Sequence, residues 1–289
     1  MQRLRSPLRW AGGKSKVARL IALAIPPHRT YVEPFGGAGS VLFAKRRSDV
    51  EVYNDVNGCL TNFFRVLRDD PEAFIASFRW ELVSRGEYER LARLDPADLS
   101  PTERAHRFYY LVMAGWGAEA GRFLFQVSAR DRGGNRLGAA LANLEQRILP
   151  VHERLQRVII EEDSWENVIS RYDGPETFFY VDPPYPNHRV RYGHDMRDVA
   201  AHERLWRALA SAEARFLLSS YEDSALLRKM TAIFGDSVGF HPLAVPWGHR
   251  SKKKPAGREI LVANYDLPVQ FLSPAANAPR PAILFGGGG

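Results

Sequence analysis

Short apolar runs alternate with longer amphipathic stretches at both ends of this chain, and the part between them reads as helix. Tyr31-Val32-Glu33, Val50-Glu51-Val52-Tyr53, Val158-Ile159-Ile160, Phe178-Phe179-Tyr180-Val181 and Phe216-Leu217-Leu218 have the length and the aromatic or β-branched content of buried strands. Helical spacing fits Val41 to Lys45, Trp165 to Tyr172 and His202 to Ala212, and an amphipathic helix is expected to begin near Lys14. Val238 to Val245 and Ile260 to Tyr265 read as a C-terminal hairpin. Alternation of this kind predicts an α/β core with helices on its sheet. Over residues 68–157 the patterns Phe74-Ile75-Phe78-Leu82 and Phe108-Tyr109-Tyr110-Leu111-Val112 predict a mostly helical insertion, with the core divided into residues 1–67 and 158–265. Residues 266–289, rich in Pro, Ala and Gly and closed by Gly286 to Gly289, are expected to be disordered.

Chemistry concentrates where strands end. Asp182-Pro183-Pro184-Tyr185 follows a buried strand directly, so a carboxylate and an aromatic ring stand at its exit. An exocyclic amine on a nucleobase is a poor nucleophile, because its lone pair is conjugated into the ring. The Asp182 carboxylate can accept one of the amine's hydrogens and the Pro183 carbonyl the other, and the two prolines stiffen the chain without adding N–H donors. The ring of Tyr185 is then free to stack on the base. Upstream, Glu33-Pro34-Phe35-Gly36-Gly37-Ala38-Gly39-Ser40 turns from strand into helix, a nucleotide-type crevice in which glycines admit close approach of a ligand. Glu33 inside that turn would repel a pyrophosphate and attract a sulfonium and an α-ammonium. The next strand ends at Asn54-Asp55, which puts a carboxylate where ribose hydroxyls are commonly held.

With Trp10-Ala11-Gly12-Gly13-Lys14 ahead of the glycine turn, the order of motifs resembles the Dam-type family of DNA adenine-specific N6-methyltransferases, including members from phages and restriction systems. Tyr192-Gly193-His194-Asp195-Met196 and Arg258-Glu259-Ile260-Leu261-Val262-Ala263-Asn264-Tyr265 carry the resemblance further, so that it covers nearly everything from Leu8 to Tyr265. It implies a Rossmann-like class I methyltransferase sheet with an inserted, mostly helical target-recognition domain. S-adenosylmethionine is the implied cofactor: Trp10 would pack on it, Lys14 would pair with its carboxylate, Asp55 would hold its ribose and Asp163 its adenine. Glu33, Phe35, Gly37, Gly39 and Asp182 would complete the pocket. Ser164-Trp165 stands where many members carry a single aromatic. Asp at position 182 favours adenine over cytosine, whose enzymes more often carry Ser there, and over protein or RNA amines, whose enzymes more often carry Asn.

The formal charge of +7 favours an anionic partner, here double-stranded DNA. Gly121-Arg122-Phe123 and Arg130 to Arg136 alternate cations with turn formers and an amide, which makes Arg122, Arg132, Asn135 and Arg136 candidates for phosphate or base-edge contacts. Lys252, Lys253 and Lys254 lie between the last two strands, placed to grip the backbone around an extruded base. One cysteine, Cys59, excludes a disulfide framework and suits a reducing cytoplasm. The apolar stretch Leu20 to Ile25 is short and ends at Pro26-Pro27, which suits an amphipathic helix rather than a signal peptide, and no segment approaches membrane-spanning length. His194, Asp195, Asp198 and His202 lack the spacing of a metal site, and Ser219-Ser220-Tyr221 lacks the flanking glycines of a nucleophile elbow; Tyr221 instead fits beside the target base. The alternatives left open are an N4-cytosine or other amine methyltransferase and a catalytically inactive DNA-binding relative. A companion restriction endonuclease, the recognition sequence and the oligomeric state are not fixed by the sequence.

Overall fold

The computed structural model describes residues 4–10, 12–115, 136–185, 196, 198–243 and 259–268, with backbone alone at Arg136. Among these, seven strands form one sheet: β1 (Thr30–Glu33), β2 (Val50–Asn54), β3 (Val158–Glu161), β4 (Thr177–Val181), β5 (Arg215–Tyr221), β6 (Gly239–Leu243) and β7 (Glu259–Ala263). Their order is β3-β2-β1-β4-β5-β7-β6. The pairs from β3 to β5 are parallel, and β7 runs antiparallel between β5 and β6. This is the Rossmann-like α/β arrangement expected. Strand order reverses between β1 and β4, and a crevice opens there beyond the carboxyl ends of the strands.

The period of two along each strand sorts side chains onto two faces. Tyr31, Tyr53, Phe178, Tyr180, Leu217 and Leu261 point to one core, while Val32, Val52, Phe179, Val181, Phe216, Leu218 and Ile260 point to the other. Every residue of β4 is buried, as befits a central strand covered on both faces. Each large apolar side chain so buried contributes about 1.5–3 kcal/mol. On the second face lie α9 (Trp165–Tyr172), α10 (Val199–Ser211) and α11 (Ser224–Phe234). On the first lie α1 (Ala18–Ala24), α2 (Ser40–Ala44) and α3 (Gly58–Asp69), followed by α4 (Pro71–Ser77), α5 (Arg85–Arg93), α6 (Pro101–Ala114), α7 (Arg136–Leu141) and α8 (Leu144–Leu155). These middle helices share one continuous core with the sheet: Phe63 of α3 stacks on Tyr109 of α6 at 5.8 Å between centroids, and Phe74 of α4 meets both edge-on. Local signals start them cleanly. Ser100 and Glu103 form a reciprocal capping box with Pro101 in the first turn of α6.

Some elements differ from the pattern. The first helix begins at Ala18, because residues 14–17 form a turn in which Val17 and Ala18 N–H both donate to the Lys14 carbonyl. The apolar spacing Phe74-Ile75-Phe78-Leu82 outlasts its helix, which stops at Ser77; Phe78 turns aside to stack on His106 at 3.9 Å, and the Tyr110 hydroxyl pins the chain at Leu82 and Ser84. Leu82 is left exposed. Helix α11 was not foreseen, although Asp223 caps its start and Gly235, at φ 58°, ends it. Leu267, just past the last strand, is buried in the first core.

Candidate active site

A cavity of about 470 Å³ opens at the switch point, and its wall begins with the turn after β1. Gly36 packs so closely on Tyr53 that a Cβ there would lie 2.2 Å from the ring, and Gly39 adopts φ 64° to start α2. Only glycine fits either constraint without strain. The Gly37 N–H donates to Asp55 Oδ2 at 2.9 Å, and the Asn57 N–H donates to Asp55 Oδ1 at 2.9 Å. Asp55 is thereby fixed at the tip of β2, on the cavity wall. Beside it the buried Asn54 amide donates to the carbonyls of Pro34 and Asp163 and accepts from the Asp163 N–H at 2.9 Å, which ties the ends of β1, β2 and β3 together. The Asp163 carboxylate is held by Ser164 N–H, Asn167 and Arg171, contacts that lower its pKa. Phe35 and Trp165 line the same end, 6.4 Å apart. Trp10 closes the wall on the other side, packed on Phe108 of α6 at 6.0 Å.

Glu33 sits deeper. It is 1% exposed and accepts a hydrogen bond from the Tyr31 hydroxyl at 2.6 Å, yet it borders the cavity. Burial pushes its carboxyl up to about 7, against the pull of the Tyr31 bond and of Lys45. A second buried carboxylate nearby makes a useful contrast. Glu51 accepts from Lys45, from both terminal nitrogens of Arg154 and from the Ser48 N–H at 3.1 Å. Its charge is fully engaged, and these partners hold its pKa below the ordinary range despite burial.

Across the switch point the wall is made of charged and aromatic side chains. Lys14 Nζ donates to Asp182 Oδ1 at 2.7 Å, stands 4.9 Å from the centroid of the Tyr185 ring and lies 3.8 Å from Glu259 Oε2. Lys14 is thus the salt-bridge partner of the Asp-Pro-Pro-Tyr carboxylate, a pairing that the sequence did not suggest. Tyr185 is buried against Tyr221, with ring centroids 4.3 Å apart. Behind them His202 of α10 reaches the carbonyls of Pro184 and Met196 at 3.1 and 2.9 Å. Both contacts call for a protonated Nε2, and burial keeps the ring's pKa low. His202 is therefore a brace for the segment that carries Tyr185. Asp198 caps α10.

The structure thus gathers Trp10, Lys14, Glu33, Phe35, Gly37, Asp55, Asp163, Asp182, Pro183, Pro184 and Tyr185 around one cavity. Gly39 stands just behind it, at the start of α2. Arg122, Arg132, Asn135, Lys252, Lys253 and Lys254 lie outside the described residues, as do His194 and Asp195, and Arg136 is placed only as the first residue of α7. Sequence reasoning assigned no role to Asn54, His202 or Glu259. The position of Asn54 at a strand tip was a usable signal. That of Glu259 was not, because it reaches the cavity only through the antiparallel register that sets it opposite Tyr221. No group of three His, Cys, Asp or Glu side chains among the described residues is arranged to hold a metal ion, and no helix among them is long and apolar enough to cross a membrane.

A family model of D12 class N6 adenine-specific DNA methyltransferases matches residues 10–235. The chain belongs to this family. Similar proteins include a DNA adenine methylase of Vibrio cholerae, 41% identical over 83 residues, which are 28% of this chain and 29% of that protein. The similarity thus spans less than a third of the Vibrio enzyme's length. Type II methyltransferase M.MjaIII of Methanocaldococcus jannaschii is 24% identical over 74% of this chain and 83% of its own length. Type II methyltransferase M1.LlaDCHI of Lactococcus lactis subsp. cremoris is 24% identical over 91% and 96%. In this D12 chain the matched span takes in the cavity from Trp10 to Tyr221 and ends after α11, so β6, β7 and Glu259 lie beyond it.

Proposed function

We propose that this D12-class chain transfers a methyl group from S-adenosylmethionine to the exocyclic amine of adenine in double-stranded DNA, with the base flipped out of the duplex. The observation that carries this reading is the meeting of the Asp182 carboxylate, the Pro183 segment and the Tyr185–Tyr221 ring pair at a cavity whose opposite end is lined by Asp55, Asp163, Phe35 and Trp165. The residues suit the cofactor: carboxylates at Glu33 and Asp182 match a cationic ligand, Asp55 stands at the tip of β2 for a ribose, and Phe35 and Trp165 offer apolar faces to a purine. When bound, S-adenosylmethionine supplies an electrophilic methyl group with a good leaving group.

What remains for the protein is alignment and electrostatics. Asp182 accepts one hydrogen of the adenine amine and the Pro183 carbonyl the other, which localises the lone pair for attack. Tyr185, braced through the His202 contact to Pro184, offers its ring to the flipped base. The surplus proton leaves to solvent. Helices within residues 68–157 serve as the target-recognition domain, with Arg122, Arg132, Asn135 and Arg136 as its candidate DNA contacts and Lys252 to Lys254 gripping phosphates. A chain with the single, free Cys59 suits the cytoplasm.

Nucleoside analysis of duplex DNA incubated with the protein and S-adenosylmethionine tests the reading. N6-methyladenine is the expected product. Methylcytosine alone would move the assignment to the cytosine amine, and duplex binding without any methylated base would mark an inactive relative.

A further inference from the structure

Glu259 differs from the other two buried carboxylates among the described residues, Glu33 and Glu51. It is 6% exposed, and among the described residues its Oε2 atom has no hydrogen-bond partner. A carboxylate kept for structure is saturated, as Glu51 is by two cations and an N–H; leaving one buried and unpaired is costly. Among the described residues the nearest cation to Glu259 is Lys14, 3.8 Å away and already bonded to Asp182 at 2.7 Å. Two carboxylates therefore face a single ammonium. Asp182 cannot serve an amine fully while its charge is neutralised at hydrogen-bond distance, and an ammonium held there opposes the positive charge that develops on the attacking nitrogen.

We propose that Glu259 is the alternate partner of Lys14: when the target amine reaches Asp182, the Lys14 ammonium gives up its bond to Asp182 and closes on Glu259 Oε2, leaving Asp182 to the substrate. One ion pair replaces another and no proton is transferred. The starting gap is short enough for side-chain rotation alone, since the lysine stem has four rotatable bonds and the strand that bears Glu259 is fully buried. Glu259 is thus a positioning residue acting through Lys14. Its role rests on the adenine-amine reading of the pocket, and it falls outside residues 10–235.

The groups that face Glu259 are Lys14 from the N-terminal segment, Asp182 and Tyr185 from the end of β4, Tyr180 within β4 and Tyr221 on β5. Burial raises the Glu259 pKa, with Lys14 pulling it down and Asp182 pushing it further up. Protonation of Glu259 would remove the alternate partner, so transfer should slow as pH falls through that pKa.

The test compares the parent with Glu259→Gln, which keeps shape and loses charge, at saturating S-adenosylmethionine in single-turnover reactions. Transfer should fall on the order of 10- to 100-fold, the scale of a charge-assisted hydrogen bond. Cofactor affinity by calorimetry and duplex affinity by anisotropy should stay within about threefold. The acid limb of the transfer-rate profile should disappear in Glu259→Gln and should persist but move in pH in Glu259→Asp, whose shorter carboxylate stands farther from Lys14 and is intrinsically more acidic. In a Lys14→Gln background Glu259→Gln should add little further loss, because the two act as one unit. A parent-like rate and pH profile in Glu259→Gln would overturn the proposal, as would an equally large loss with or without Lys14. Should Glu259→Gln not fold, Glu259→Asp decides: a limb unchanged in position and size would sink the exchange. A parent enzyme that makes no N6-methyladenine would refute the reading of the pocket itself, a separate outcome.

Discussion

At the tips of β1, β2 and β3 the cavity wall is set by backbone and amide hydrogen bonds, whereas at β4, β5 and β7 it is set by charge. On the first side Asn54 spends its amide on three strand ends, Asp55 takes two N–H groups and Asp163 takes three donors, so these groups are oriented before anything binds. On the second side one lysine stands between two carboxylates, and the buried Tyr185 hydroxyl, like Glu259 Oε2, has no partner among the described residues. A polar group satisfied in advance can bind with little reorganisation. One left unsatisfied can change partners, which chemistry requires and mere binding does not.

The comparison breaks most visibly at Asp182. Asp182→Ala should lower methyl transfer by about 10²- to 10³-fold or more while duplex binding persists, because the carboxylate serves the amine and not the phosphates. Transfer rate and electrophoretic mobility shift, measured together, check this; a fully active variant ends the mechanism. Changes on the opposite side should act on affinity. Asp55→Ala should weaken S-adenosylmethionine binding by about 1.5–3 kcal/mol in calorimetry, the scale of a lost charge-assisted hydrogen bond. Lys14→Ala should do the same, because the resemblance pairs Lys14 with the cofactor's carboxylate, and should also depress transfer through its bond to Asp182. Unchanged cofactor affinity in both variants would refute the pocket as drawn.

Smaller effects sharpen the contrast. Tyr185→Ala should cost about 1–3 kcal/mol of stacking and leave slow transfer, while Tyr185→Phe keeps much of the rate because the hydroxyl has no partner to lose among the described residues. Glu33 supplies a pH handle. Its folded-state carboxyl, near 7, lies above the ordinary value of 4.5, so the folded protein binds the extra proton between those limits. Stability from this group therefore falls as pH rises through that window, whereas affinity for a cationic cofactor rises as Glu33 ionises near pH 7. Glu33→Gln should flatten both trends, and calorimetric titrations across pH would expose it if they did not. Last, replacing Lys252, Lys253 and Lys254 together should make DNA affinity less steep in salt without altering site preference. An unchanged slope would leave those lysines as solvated surface.

Much of this was legible from the residues because strand tips are local. Tyr31-Val32-Glu33 and Phe178 to Val181 announce buried parallel strands, and whatever follows such a strand lies at the crevice, so Asp182, Asp55 and the glycine turn could be placed without coordinates. Contacts across the chain could not. Lys14 meets Asp182 over a separation of 168 residues, and His202 finds Pro184 because α10 packs back over the sheet. The end of α4 was not legible for a similar reason: the apolar spacing continues to Leu82, but Tyr110 and His106 from another helix redirect the chain. Periodicity records which side chains want burial and is silent on which distant neighbour claims them.

The late insertion of β7 between β5 and β6 has a consequence for synthesis. A chain emerging from the ribosome presents β1 to β5 and their helices first, with β5 an open edge and Lys14 lacking the second of the two carboxylates that face it. Only when the residues of β7 appear can they slot in beside β5, seal that edge and carry Glu259 to Lys14. On the function proposed above, a chain cut short before β7 would lack both the sealed edge of β5 and the carboxylate to which Lys14 turns.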